Sequence, residues 1–86
     1  MEKFIFDFEG KNYDARIVQV FLDGGEELTI QLSDRGLVNQ FGATFLFIIK
    51  GDNLYIPATT NERKKNLVIG IALGIADYFK KSYLSE

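Results

Sequence analysis

Arg63, Lys64 and Lys65 form the longest like-charge run in the chain. A guanidinium forks onto phosphate oxygens and an ammonium adds a point charge, so this triplet is a candidate contact for RNA, DNA or an anionic lipid. The structural alternative is a solvated first helical turn, slightly unfavourable beside the positive end of the helix dipole. Arg35, Asn39, Gln40 and Phe41 make a second candidate contact, because they fall in the longest connection of the chain and connections carry recognition more often than scaffolds do. The alternative there is an ordinary crossover with Phe41 turned into the core.

Asp23-Gly24-Gly25-Glu26-Glu27 gathers three carboxylates around two glycines. Oxygen ligands on a flexible loop suit a hard cation, but the alternating acid spacing of a calcium loop is missing, so the segment reads as a solvated hairpin turn. Gly70 and Gly74 form G-x-x-x-G in an apolar segment too short to cross a bilayer. Each interior glycine costs a helix about 1 kcal/mol against Ala, so the pair implies a close backbone approach, either to the sheet or to a partner helix. With Ile69 and Leu73, which lie off the main apolar face, these glycines are the candidate interface.

Much chemistry is excluded. The 86 residues hold no His and no Cys, which removes the commonest general base, the thiol nucleophile and the usual ligands of zinc, haem and iron–sulfur centres. No phosphate-binding loop and no G-x-G-x-x-G occurs, and the remaining carboxylates, lysines and hydroxyls form no constellation. The expectation is a protein that is not an enzyme and carries no cofactor and no metal.

The elements that must position these residues follow from periodicity. Phe4, Phe6 and Phe8 alternate with Ile5, Asp7 and Glu9, which is a half-buried strand, and Gly10-Lys11 reads as a turn. Further strands are expected at about 13–22, 27–33, 43–50 and 54–57, after a first at about 3–9, with Pro57 ending the last. Asp23-Gly24 is the clearest turn. Residues 37–42 fit either one helical turn, capped by Asp34 and closed by Gly42, or an irregular crossover. Thr59-Thr60-Asn61-Glu62 matches a capping box, and a helix is expected over about 60–83, with Leu67, Val68, Ile71, Ala72, Ile75, Tyr78, Phe79 and Tyr83 on one apolar face and Lys80 and Lys81 near its C-terminal end. The fold class is therefore α+β: a meander-like antiparallel sheet of about five strands, then one long C-terminal helix packed on one face, in a single domain over residues 1–86.

Composition agrees, with 47% hydrophobic and 14% aromatic residues. The first 58 residues carry nine acids against five bases and the last 28 three against five, which is no strongly basic face of the kind a duplex binder shows. The first residues lack the pattern of a signal peptide and the longest apolar run is too short for a membrane span, so a soluble, cytoplasmic protein without a membrane partner is expected.

The last argument is geometric. Five strands about 4.8 Å apart make a sheet nearly 25 Å wide, while a helix is about 10 Å across. The second half of strand two and strand four are apolar on both faces. Either the sheet curls around its helix or a second copy covers the surplus. The leading expectation is a non-enzymatic interaction module, a homodimeric accessory or regulatory protein acting through protein–protein contacts. Two alternatives are single-stranded nucleic-acid binding, which is less favoured, and small-molecule binding in a pocket between sheet and helix.

Overall fold

Period-two patterning becomes strands in the computed structural model, which describes residues 2–80 and 84–85. Strand β1 (Glu2–Phe8) turns into β2 (Lys11–Leu22) through Glu9 and Gly10, whose φ values of 51° and 79° are those a two-residue type I′ hairpin requires at both positions. The turn therefore sits one residue earlier than Gly10-Lys11, because Lys11 already pairs with Phe8. Strand β3 (Gly25–Leu32) follows Asp23-Gly24, with Gly24 at φ 82°, and also starts earlier than expected. Gly25 fits there because a Cβ would lie 2.5 Å from the Ile49 carbonyl oxygen of the neighbouring strand.

Segment 37–42 resolves as helix. Helix α1 (Arg35–Phe41) starts under Asp34, whose carboxylate accepts the Leu37 N–H at 3.0 Å, and closes at Gly42, whose N–H donates to the Val38 carbonyl at 2.9 Å. Strands β4 (Thr44–Lys50) and β5 (Asn53–Tyr55) complete the antiparallel run. β5 is shorter than expected, ending two residues ahead of Pro57, which has no N–H for a ladder.

Helix α2 (Glu62–Phe79) is shorter than the expected 60–83 at both ends. Its cap is Asn61, whose side-chain oxygen accepts the Lys64 N–H at 2.9 Å, so the capping box built on Thr59 does not form; the Thr59 hydroxyl instead accepts the Asn61 N–H at 3.2 Å, ahead of the helix. An Asn two residues further on satisfies the same orphan donor, and the helix begins there. At the other end Lys80 adopts a left-handed conformation, φ 53°, and its N–H returns to the Ala76 and Asp77 carbonyls, which closes the helix. The expected helical placement of Lys81 and Tyr83 lies outside the described residues. A short strand, β6 (Leu84–Ser85), runs parallel beside β5.

Strand order in the sheet is β1-β2-β3-β4-β5-β6, antiparallel throughout except for the last pair. The chain is thus an α+β meander of five antiparallel strands in a curled sheet, followed by one long C-terminal helix. Phe4, Phe6, Phe8, Ile17, Leu28, Ile30, Phe45, Phe47 and Ile49 turn to the inner face and bury Leu67, Val68, Ile71 and Ile75 of α2. Leu37 of α1 joins the same core. Among the described residues no buried side-chain polar atom lacks a partner, so the interior is ordinary apolar packing.

Candidate interaction surfaces

The basic triplet does not act as a unit. Arg63 lies at the start of α2, and its guanidinium donates to both carboxylate oxygens of Glu9, at 2.9 and 2.8 Å, and to the Gln40 side-chain oxygen. It lies 5.7 Å from the Phe8 ring centre and 5.2 Å from that of Phe41. Phe8 and Phe41 meet edge to face beneath it. One side chain thus joins the first hairpin turn, α1 and α2. The hydrogen bonds from Arg63 hold the Glu9 carboxyl below its usual range, against the opposing effect of partial removal from water, and Glu9 in turn raises the Arg63 pKa. Arg63 therefore already has partners within the chain, although it and Glu9 are about half exposed, and Gln40 and Phe41 belong to the same junction. Lys64 sits 5.6 Å from the Phe45 ring centre, while Lys65, Arg35 and Asn39 are exposed. Glu9 and Phe8 were not among the sequence candidates; they lie more than fifty residues from Arg63, and no local spacing announces such a pair.

The glycines of α2 make their close approach inside the molecule. A Cβ on Gly70 would fall on the Asp7 carbonyl oxygen, and one on Gly74 would lie 2.8 Å from the Phe6 Cβ and 2.9 Å from the Ile5 carbonyl oxygen. Of the candidate interface, Gly70 and Gly74 therefore make the sheet contact, with β1, of the two close approaches open to them. Ile69 and Leu73 point the other way and are 41% and 67% exposed. Ile5 on the outside of β1 is 59% exposed and faces Leu73 across a shallow groove of about 350 Å³ whose floor is Gly70 and Gly74.

The outer face of the sheet is the largest uncovered apolar surface. Strand register places Val18, Thr29 and Leu46 in one row and Val20, Glu27, Ile48 and Tyr55 in the next, with Leu22 beyond. Val20, Leu22, Leu46 and Tyr55 are exposed, and Val18 and Ile48 half so. Glu27 stands in the middle of this patch with no hydrogen-bond or ion-pair partner among the described residues. Phe21, at the tip of the second hairpin, is 74% exposed.

Two further features bear on chemistry. Glu26 of the acidic turn accepts a hydrogen bond from Gln19 at 2.9 Å, and among the described residues no three carboxylates converge as metal ligands would. Where α2 ends, Tyr78, Phe79, Ile17, Val18, Gln19 and Glu2 line an open groove of about 680 Å³. No helix among the described residues is long and apolar enough to cross a membrane. Comparison with models of protein families, with curated proteins and with solved structures finds no match for this chain.

Proposed function

We propose that the protein is a non-enzymatic interaction module that associates with itself and with another protein. The observation that supports this reading is the apolar surface left over once α2 has been packed: Val20, Leu22, Leu46 and Tyr55 on the sheet, Ile69 and Leu73 on the helix. Curling of the sheet buries one face against α2 but cannot cover the other, and contiguous exposed apolar patches usually mark interaction sites. Catalysis has little to work with. The titrating pair with shifted groups, Glu9 and Arg63, is a tether between elements and does not lie in a cleft.

The sheet patch suits a protein partner with a cation set among apolar side chains, because Glu27 at its centre needs an opposite charge once water is excluded. A photo-reactive residue in place of Leu46 tests this in the source cells. A cross-linked product of one defined mass, lost on adding Val20→Glu, is expected; absence of any product overturns the sheet-face reading. Single-strand binding would have to draw Arg63 from its pairing with Glu9. Small-molecule binding is supported by the groove beside Tyr78 and Phe79, whose rings meet edge to face 5.0 Å apart. A retained mass in a native spectrum, displaced on substituting Tyr78, would move the assignment there.

A further inference from the structure

We propose that α2 joins two copies of the chain through its solvent-facing stripe, packed antiparallel about a two-fold axis level with Ile71. This rests on the reading of the protein as a self-associating module, and it names the surface.

Glu62, Lys65, Ile69, Leu73 and Asp77 recur at intervals of three and four and so form one line along the helix, with Lys80 just beyond its end. All six are exposed. The centre of the line is apolar and its ends are charged, and the charge next to the centre is basic at the start, Lys65 with Glu62 outside it, and acidic at the finish, Asp77 with Lys80 beyond it. A parallel pair would set Lys65 on Lys65 and Asp77 on Asp77. An antiparallel pair centred on Ile71 sets Ile69 against the second copy's Leu73 and Lys65 against its Asp77. Symmetry makes each of these contacts twice.

The register is specified as well as the direction. Sliding the copies by one turn sets Ile69 against Asp77, or in the other sense Leu73 against Lys65, so an apolar side chain then faces a charge. Ile5 flanks Leu73 across the glycine-floored groove and widens the apolar centre.

The surface is narrow, so the dimer is weak and its mass depends on concentration. Sedimentation equilibrium from about 1 mM to about 10 μM is expected to show a transition between twice the chain mass and its 9.8 kDa. Leu73→Glu, at an exposed position that leaves the fold intact by circular dichroism, is expected to raise the dissociation constant by more than about tenfold. Lys65→Glu or Asp77→Lys alone weakens association by about fivefold, and the double exchange restores it. Lys65 and Asp77 are twelve residues apart, about 18 Å along one helix and well beyond the screening length at physiological salt, so rescue by the double exchange arises only between copies.

A dimer indifferent to Leu73→Glu overturns the helix interface and leaves self-association standing, with Val20→Glu as the variant that then abolishes it. A dimer sensitive to Leu73→Glu but without rescue by the charge exchange overturns the antiparallel register. A monomer at every concentration overturns both the interface and the self-association reading.

Discussion

Replacing Gly70 by Ala sets two effects of opposite sign against each other. In an isolated helix the change stabilises by about 1 kcal/mol, because Ala loses less backbone freedom on ordering. Here the new Cβ falls on the Asp7 carbonyl oxygen. That oxygen belongs to the main chain of a strand paired along its whole length with β2, so it cannot rotate aside. The helix must move instead, which pulls Leu67 and Ile71, both fully buried, out of register with Phe6 and Phe47. Overpacking of this kind costs about 1–3 kcal/mol and sometimes more, so against a helix-propensity gain of about 1 kcal/mol the net loss is up to about 2 kcal/mol. For a domain of this size that lowers the melting temperature by roughly 4–8 °C per kcal/mol. Gly74→Ala acts alike through Phe6 and Ile5. A helix displaced by one methyl already has room for the other, so the double variant loses less than the two single losses combined. Thermal and urea unfolding monitored by circular dichroism read all three. Gly36→Ala in α1 is the comparison, since its Cβ would meet no main chain and only the side-chain oxygen of Asp34 at 3.2 Å, so it loses less than Gly70→Ala. A melting temperature that rises on Gly70→Ala refutes the close seating of α2 on β1.

Three further perturbations test the junction and the caps. Because Arg63 depresses the Glu9 pKa, the pair stabilises the fold above the ordinary carboxylate pKa and that contribution is lost as pH falls through the depressed value. The difference in urea midpoint between the parent and Glu9→Gln is therefore present at pH 7, shrinks as the pH falls below the ordinary carboxylate pKa of about 4.3, and is gone below the depressed value; a difference constant with pH refutes the tether. Asn61→Ala removes the helix cap and costs about 1 kcal/mol, whereas Thr59→Ala is nearly silent in the same thermal melt, the reverse of what a capping box on Thr59 would give. Phe21→Ser, at 74% exposure, leaves the urea midpoint within about 0.5 kcal/mol of the parent, and a larger loss would mean that the hairpin tip is packed.

Where one residue's neighbours in sequence decide its conformation, the reading from sequence holds. The alternation of Phe4, Phe6 and Phe8 put all three inside, and the apolar spacing of Leu67, Val68, Ile71 and Ile75 chose the buried face of α2. Asp34 and Gly42 were correctly weighed as the ends of a helical turn. Errors fall at boundaries, where two residues of the same capability compete: Thr59 and Asn61 both cap, and pairing of Lys11 with Phe8 moved the first turn by one position. The Arg63–Glu9–Gln40 junction was not legible at all. Its members come from the first turn, α1 and α2, and only the curl of the sheet brings them together. The purpose of Gly70 and Gly74 was half legible. Their cost announced a close contact, but whether the contact was with β1 or a partner depended on which way the helix rolled over the sheet.

That roll explains how the sheet edges are managed and why association should proceed through faces. With a two-residue turn at Glu9-Gly10, Phe8 and Lys11 form the hydrogen-bonded pair, so Phe4, Phe6 and Phe8 bond to β2 while the main-chain groups of Ile5 and Asp7 point to the free edge. The Ile5 and Asp7 carbonyls are the atoms on which Gly74 and Gly70 rest. The bare glycine Cα–H groups face those carbonyls, and the helix backbone lies along an edge that would otherwise recruit another strand. At the opposite side β5 has only three residues, is followed by Pro57 and carries β6 beside it. Strand addition is obstructed by the helix at the β1 edge, and the sheet ends at its other side on the two-residue β6. What remains open is the outer sheet face and the outer stripe of α2, and these point in different directions. The two proposed contacts, a second copy on the helix and a different protein on the sheet, therefore use surfaces that do not compete for the same residues.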